Sequence, residues 1–379
     1  MRPTTLLEST ALYIFICFLL ILLSLLQKFF GKNYTDTLVL LAFPGLIFGV
    51  LFQMLPTFQG HLFRGKPLIY IHLLLWLINI VYFLLSGNLQ PHFYLSFSFL
   101  SLFLILTNLR RYHDPIVLFF LLGTFFFVLA SLLNLLGKNP LLVKHVITVG
   151  FFMSVVIGSY YIFVPMLQIE SIKEKALIWI NFALQGLSSV FSLLSWYLFD
   201  FRFIAYSGLL LLLSLGVLSC CLYKSLSQRQ SPLKGLDISV QFLIFGLFLC
   251  WFFILLGIFM AGSKNFLFLK AHADGMLYGF LSLITVGASY HIVPFLLWWK
   301  LYAPRMGRES IPTLKEILEE RLAKRFLIAF PFLLTGLLVG DLMEPLIEKI
   351  FSLLLFFLFA YYTFRLSSLT FKICTWRIL

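Results

Sequence analysis

The chain has 379 residues, of which 61% are hydrophobic and only 11% charged, against roughly 25% charged in an average soluble domain. That composition excludes a soluble globular protein, a disordered chain and a disulfide-stapled scaffold, and it fits a polytopic membrane protein with lipid as its main solvent. The formal net charge of +13 then bears on orientation in the bilayer and not on nucleic acid, because basic residues of such chains gather in loops on one side.

Runs of about 20 largely apolar residues predict twelve transmembrane helices. In chain order they cover 10–30, 36–57, 67–87, 92–109, 114–137, 141–168, 175–199, 202–224, 238–261, 266–299, 325–342 and 346–368. The breaks carry turn and charge signals: Gly31-Lys32-Asn33, Gly60-His61, Gly87-Asn88, Gly137-Lys138-Asn139-Pro140 and Ser231-Pro232. Spans 11 and 12 are parted only by Glu344-Pro345. The first run, 11–26, has no small-residue cleavage site, so no cleavable signal is expected. The longest loop, 300–324, is expected to hold a short amphipathic helix over 312–320. With the N terminus inside, inner segments carry 20 Lys and Arg and outer segments 8. Both termini are therefore expected in the cytoplasm, with the chain in a bacterial or archaeal inner membrane and the lipid bilayer as its first partner.

The sequence repeats itself. Residues 150–167 align without gaps to 279–296, with seven of 18 positions identical: Gly150/Gly279, Phe151/Phe280, Gly158/Gly287, Tyr161/Tyr290, Val164/Val293, Pro165/Pro294 and Leu167/Leu296. Span 2 carries a fainter copy in Gly49, Phe52, Leu55 and Pro56. In each copy Gly and Pro stand two helical turns apart, on one face. The Gly admits a neighbouring helix and the Pro is expected to end or kink its helix. The copies fall in spans 2, 6 and 10, which predicts one polytopic domain of three four-helix repeats, about 10–110, 114–224 and 238–368.

Five cysteines form no CxxC pair and read as structural. Of seven histidines, His61, His92 and His113 fall in or beside loops. His72 shares a helix face with Asn79, as in an interhelical hydrogen-bonding pair, and His291 reads as a packing histidine. His145 and His272 differ. Each lies four to six residues into its span, behind a lysine, Lys144 or Lys270, and precedes its repeat proline by 20 and 22 residues. They are expected at equal depth near the outer side, facing each other across a pocket. Imidazole is the usual protein ligand of haem iron and of copper, and ionisable groups inside a membrane mark function. Asp274 needs a partner if buried, and Lys270, four residues away, is the nearest base in sequence.

Span 10 reads His272-Ala273-Asp274-Gly275, then Tyr278-Gly279-Phe280 and Gly287…Tyr290…Val293-Pro294; span 6 reads His145, Gly150-Phe151-Phe152 and Gly158…Tyr161…Val164-Pro165. In these motifs the chain resembles subunit I of the haem-copper oxidases, closest to the cbb-type branch. The resemblance implies an all-α integral membrane fold of twelve helices with pseudo-threefold symmetry and both termini inside. It also implies that His272 matches the proximal ligand of the high-spin haem and His145 one of three copper ligands. The sequence departs from the family elsewhere. Span 2 lacks the histidine for a low-spin haem, Asp274 stands where span 10 would supply the second, and span 7 lacks the His-His pair that completes the copper site.

What remains implies one haem, with His272 below the iron, His145 above it or lining a gas pocket, and Lys144 and Lys270 near the propionates; copper is not expected. The resulting expectation is a haem protein of respiratory electron transfer or of oxygen or nitric oxide handling, with catalysis left open. The chain has neither CxxCH nor an Fe–S motif, so electrons would come from a partner subunit. Two alternatives stand beside it. One is an accessory or assembly subunit that keeps the fold. The other is a twelve-helix transporter, for which the 60–66 loop resembles part of the major-facilitator pattern.

Overall fold

The computed structural model describes residues 6–111, 113–172, 174–228 and 235–375. Arg2, Lys173, Arg229, Lys234 and Arg377 of the charge bias, and the Ser231-Pro232 break, lie outside the described residues. Among the described residues, twelve helices are long and apolar enough to cross a membrane, and no strand occurs. They are α1 (Leu7–Phe29), α2 (Thr37–Gln59), α3 (Lys66–Ser86), α4 (Pro91–Asn108), α5 (Pro115–Leu135), α6 (Pro140–Gln168), α7 (Lys175–Leu198), α8 (Phe201–Ser227), α9 (Ile238–Ser263), α10 (Leu269–Leu301), α11 (Glu320–Met343) and α12 (Pro345–Thr375).

Local chemistry sets the helix starts. Pro91, Pro115, Pro140 and Pro345 occupy first positions, where a missing N–H costs nothing and φ is already helical. Side chains cap the next amides: Asp114 accepts from Ile116 N at 3.0 Å, Asn139 from Leu141 N at 2.8 Å, and Asp200 from Arg202 N at 2.8 Å. Such caps are worth about 1 kcal/mol each. Two expectations need correction. The 312–320 segment forms only one turn of helix, Leu314–Ile317, closed by a Thr313–Glu316 capping box. Helix α11 begins at Glu320, ahead of the apolar run, because Glu320 pairs with Lys324 at 2.9 Å and Leu322 and Ala323 are buried.

The repeat prolines do not end their helices. Helices α2 and α6 run on to Gln59 and Gln168 beyond Pro56 and Pro165, and α10 runs to Leu301 beyond Pro294. A second device marks the same three helices. Each contains a stretch of π-helix: Thr37–Ala42 in α2, Val146–Phe152 in α6 and Gly275–Ser282 in α10. Each stretch starts twelve residues before its repeat glycine, Gly49, Gly158 or Gly287. A π segment widens the turn and takes carbonyls off the α ladder, and such bulges concentrate at functional sites. In α6 one of these carbonyls, Val149 O, accepts from Gln185 Nε2 at 2.8 Å.

The helices pack as two compact units. The first holds α1, α2, residues 241–247 of α9, α10 from Ala273 onward, α11 and α12. Its contacts are close: Gly49 lies against Tyr13 of α1, and a methyl group there would overlap the Tyr13 side chain. Thr10 Oγ1 also donates to Gly49 O at 3.0 Å. At the start of α1, Glu8 receives the buried Lys300 ammonium at 2.6 Å. The second unit holds α3 to α8, the rest of α9 and the start of α10. There Gly158 lies against α5, where an added Cβ would come within 2.9 Å of Phe119 Cβ. His72 Nε2 bonds Ser101 Oγ at 2.8 Å across α3 and α4, whereas Asn79 turns back to Leu75 O on its own helix. Gly49→Val is expected to destabilise the protein by about 1–3 kcal/mol, the range for overpacking a filled core. Thermal unfolding in detergent, compared with wild type, measures it.

Candidate functional site

Both singled-out histidines lie in the second unit, half-buried, at the head of their helices. His145 is followed at once by the π segment of α6. Its Nδ1 bonds Leu141 O at 2.8 Å, one turn back on the same helix. A carbonyl only accepts, so Nδ1 carries the proton and Nε2 of the neutral ring keeps its lone pair. The ring plane is fixed by Trp196 of α7, stacked at 3.9 Å between centroids and 28° between planes. His272 is held in the same way: Nδ1 donates to Phe253 O of α9 at 2.7 Å, again leaving Nε2 bare. Gly257, one turn further along α9, makes room for that ring, since a Cβ there would stand 2.8 Å from His272 Cε1. Lys144 is half-buried beside His145, and Lys270 is exposed at the start of α10.

The register of the π segments revises one equivalence drawn from the sequence. The residue directly before each π segment is Asp36 in α2, His145 in α6 and Asp274 in α10. The counterpart of His145 is therefore Asp274, and His272 stands two positions earlier.

The buried face of α7 carries Asn181, Gln185, Ser188, Ser189, Ser192 and Ser195. Asn181 Nδ2 donates to Tyr161 Oη at 2.6 Å, and Ser188 and Ser207 exchange hydroxyl-to-carbonyl bonds at 3.0 and 3.1 Å. This is an amide and hydroxyl seam. It knits α7 to α6 and α8. Among the described residues no group of three or more His, Cys, Asp or Glu is arranged to hold a metal ion.

The strongest polar feature of the first unit escaped the sequence reading. Asp274 is buried, and its ionic partner is not Lys270 but Lys28 of α1, with Nζ 2.7 Å from Oδ2. The same ammonium meets Asp341 Oδ1 of α11 and Glu348 Oε1 of α12, each at 2.8 Å. Tyr34 donates its hydroxyl to Asp274 Oδ1 and lies under the ammonium, 4.9 Å from ring centroid to Nζ. Tyr278 stacks on Tyr34 at 5.7 Å and donates to Ser24 Oγ at 3.1 Å. Side-chain exposure is 1% for Lys28, zero for Asp274 and Asp341, and 14% for Glu348. Chain alternation explains the meeting: these groups sit at the end of α1, the start of α10, the end of α11 and the start of α12, which share one side of the membrane. The signal was present as Lys28 and Asp341 inside apolar runs, where a charge is costly and needs a partner.

No family model matches the chain. The chain is similar to a protein of Aquifex aeolicus (strain VF5) described as an uncharacterized protein, 28% identical over 306 residues that cover 75% of this chain and 78% of that protein.

Proposed function

We propose that the chain is a diverged relative of subunit I of the haem-copper oxidases, holding one haem at His272 and His145 and acting in respiratory electron transfer or in the handling of oxygen or nitric oxide. The state of the two imidazoles carries the reading. Each gives its Nδ1 proton to a main-chain carbonyl and keeps Nε2 bare, the tautomer and anchoring typical of metal-bound histidine. The π segments of α2, α6 and α10, each starting twelve residues before its repeat glycine, add support for the four-helix repeat that the family has.

His272 would hold the iron from the proximal side, with Phe253 O orienting the ring and raising the basicity of Nε2. His145, held flat by Trp196, would face the iron or line a space beside it. Haem bound there supplies one-electron chemistry and a site for a diatomic gas. Lys144 and Lys270, at the head of the same two helices, would offer ammonium groups to its propionates. No copper is proposed, because α7 supplies no imidazole. Electrons would enter from a partner subunit.

The test is the absorption spectrum of the full chain purified from haem-replete cells: a Soret band at one haem per chain is expected. Its absence would turn the reading to an accessory subunit or a transporter. The orientation belongs to the same proposal. With both termini cytoplasmic, a cysteine placed by Arg308→Cys is expected to react with an impermeant thiol reagent only from the cytoplasmic side. Labelling from outside would reverse the topology.

A further inference from the structure

We propose that the outward face of α11 is a docking site for one anionic phospholipid, with Arg321 and Arg325 holding its phosphate and Ile328 and Phe332 lying along an acyl chain. This inference is independent of the haem reading.

Helical spacing is the first argument. Positions 325, 328, 332 and 339 follow 321 at intervals that return to the same side of an α-helix, so the five residues form one stripe. All five side chains are exposed: Arg321 and Arg325 at the head of the helix, then Ile328 at 66%, Phe332 at 73% and Val339 at 38%. The opposite face is buried through Leu322, Phe326, Phe330 and Leu334. The stripe therefore points away from the packed side of α11. From Arg325 to Val339 is about 21 Å at the α-helical rise, more than the roughly 15 Å of hydrocarbon in one leaflet. An acyl chain whose headgroup rests at the arginines has the stripe beside it through its whole leaflet.

Charge is the second. Two carboxylates stand beside the arginines, and each is engaged by another base: Glu320 meets Lys324 at 2.9 Å, and Glu319 meets Arg365 of α12 at 3.6 Å. Among the described residues no acidic side chain pairs with Arg321 or Arg325. The two guanidiniums are one turn apart and can present their N–H groups to one phosphate. The positive end of the helix dipole adds to their field. A zwitterionic lipid brings its own ammonium to this site and gains less than a lipid of net negative charge. The apolar stripe directly beyond the arginines selects a lipid over free phosphate, which has nothing to lay along Ile328 and Phe332.

Native mass spectrometry of the full chain in detergent, titrated with dioleoylphosphatidylglycerol or dioleoylphosphatidylcholine, tests this. Wild type is expected to bind one phosphatidylglycerol more tightly than it binds any phosphatidylcholine. A basic residue at a membrane surface brings roughly a fivefold gain, so Arg321→Gln with Arg325→Gln is expected to weaken that first binding about 30-fold. Lys264→Gln with Lys349→Gln is expected to leave it unchanged, because those two exposed charges lie at the end of α9 and the start of α12, on the other side of the membrane from the start of α11. Millimolar inorganic phosphate is expected not to compete. Equal affinity for the two lipids, unchanged binding in the arginine variant, equal weakening in both double variants, or displacement by phosphate would each overturn the proposal. If the double arginine variant does not fold, the single variants decide, each expected to bind about fivefold more weakly; wild-type affinity in both overturns the proposal.

Discussion

His272→Ala protein made in haem-replete cells is expected to emerge without haem, whereas His145→Ala is expected to keep haem and to show it high-spin. The asymmetry follows from how each ring is held. His272 is anchored from outside its own helix, by Phe253 O, on a surface that Gly257 leaves open. Under the proposed ligation, removing it would delete the bond to iron. His145 is anchored within its own helix and stacked on Trp196. Removing it vacates the opposite face only. Reduced-minus-oxidised spectra of the two variants beside wild type measure both effects. Equal retention of haem in both variants would assign the ligands elsewhere.

The largest effect on folding is expected at Lys28. Lys28→Met is expected to destabilise the protein by about 3–5 kcal/mol, the cost of leaving buried charges without their partner. The methionine fills similar space, so the loss is electrostatic and not a cavity. It removes the contact that Asp274, Asp341 and Glu348 have in common. Adding Asp341→Asn to Lys28→Met should recover part of the loss, because it withdraws one carboxyl from the unpaired set. Thermal unfolding of the single and double variants in one detergent gives the coupling. A double variant less stable than Lys28→Met would contradict the account of the cluster.

Span count and helix type were legible in the sequence because hydrophobic length is a strong signal, and the Glu344-Pro345 turn holds even though it leaves a single residue between two helices. Helix ends were less legible. Polar residues such as Glu320 and Lys324 extend α11 through a pair four residues apart, which a hydropathy run does not register. The repeat glycines pointed to close packing, and Gly49 and Gly158 have it. The π segments were invisible, since nothing in Val146–Phe152 sets it apart from an α-helical apolar run; only its fixed distance to Gly158 does so in retrospect. Candidate ligands could be found by residue type, but their tautomers depend on carbonyls from elsewhere, such as Phe253 O, that no spacing rule reaches. The Lys28 cluster was missed for a related reason. Its members are separated by up to 320 residues, and Asp274 was matched to Lys270 on sequence distance alone.

The central claim, one haem on this chain, is tested most directly by the haem-to-protein ratio of purified wild type, from the pyridine haemochrome and quantitative amino-acid analysis. The account predicts one haem per chain, since under the proposed reading His272 and His145 serve one haem and Asp274 is held by Lys28 and Tyr34. A ratio of zero, or of two, would contradict it.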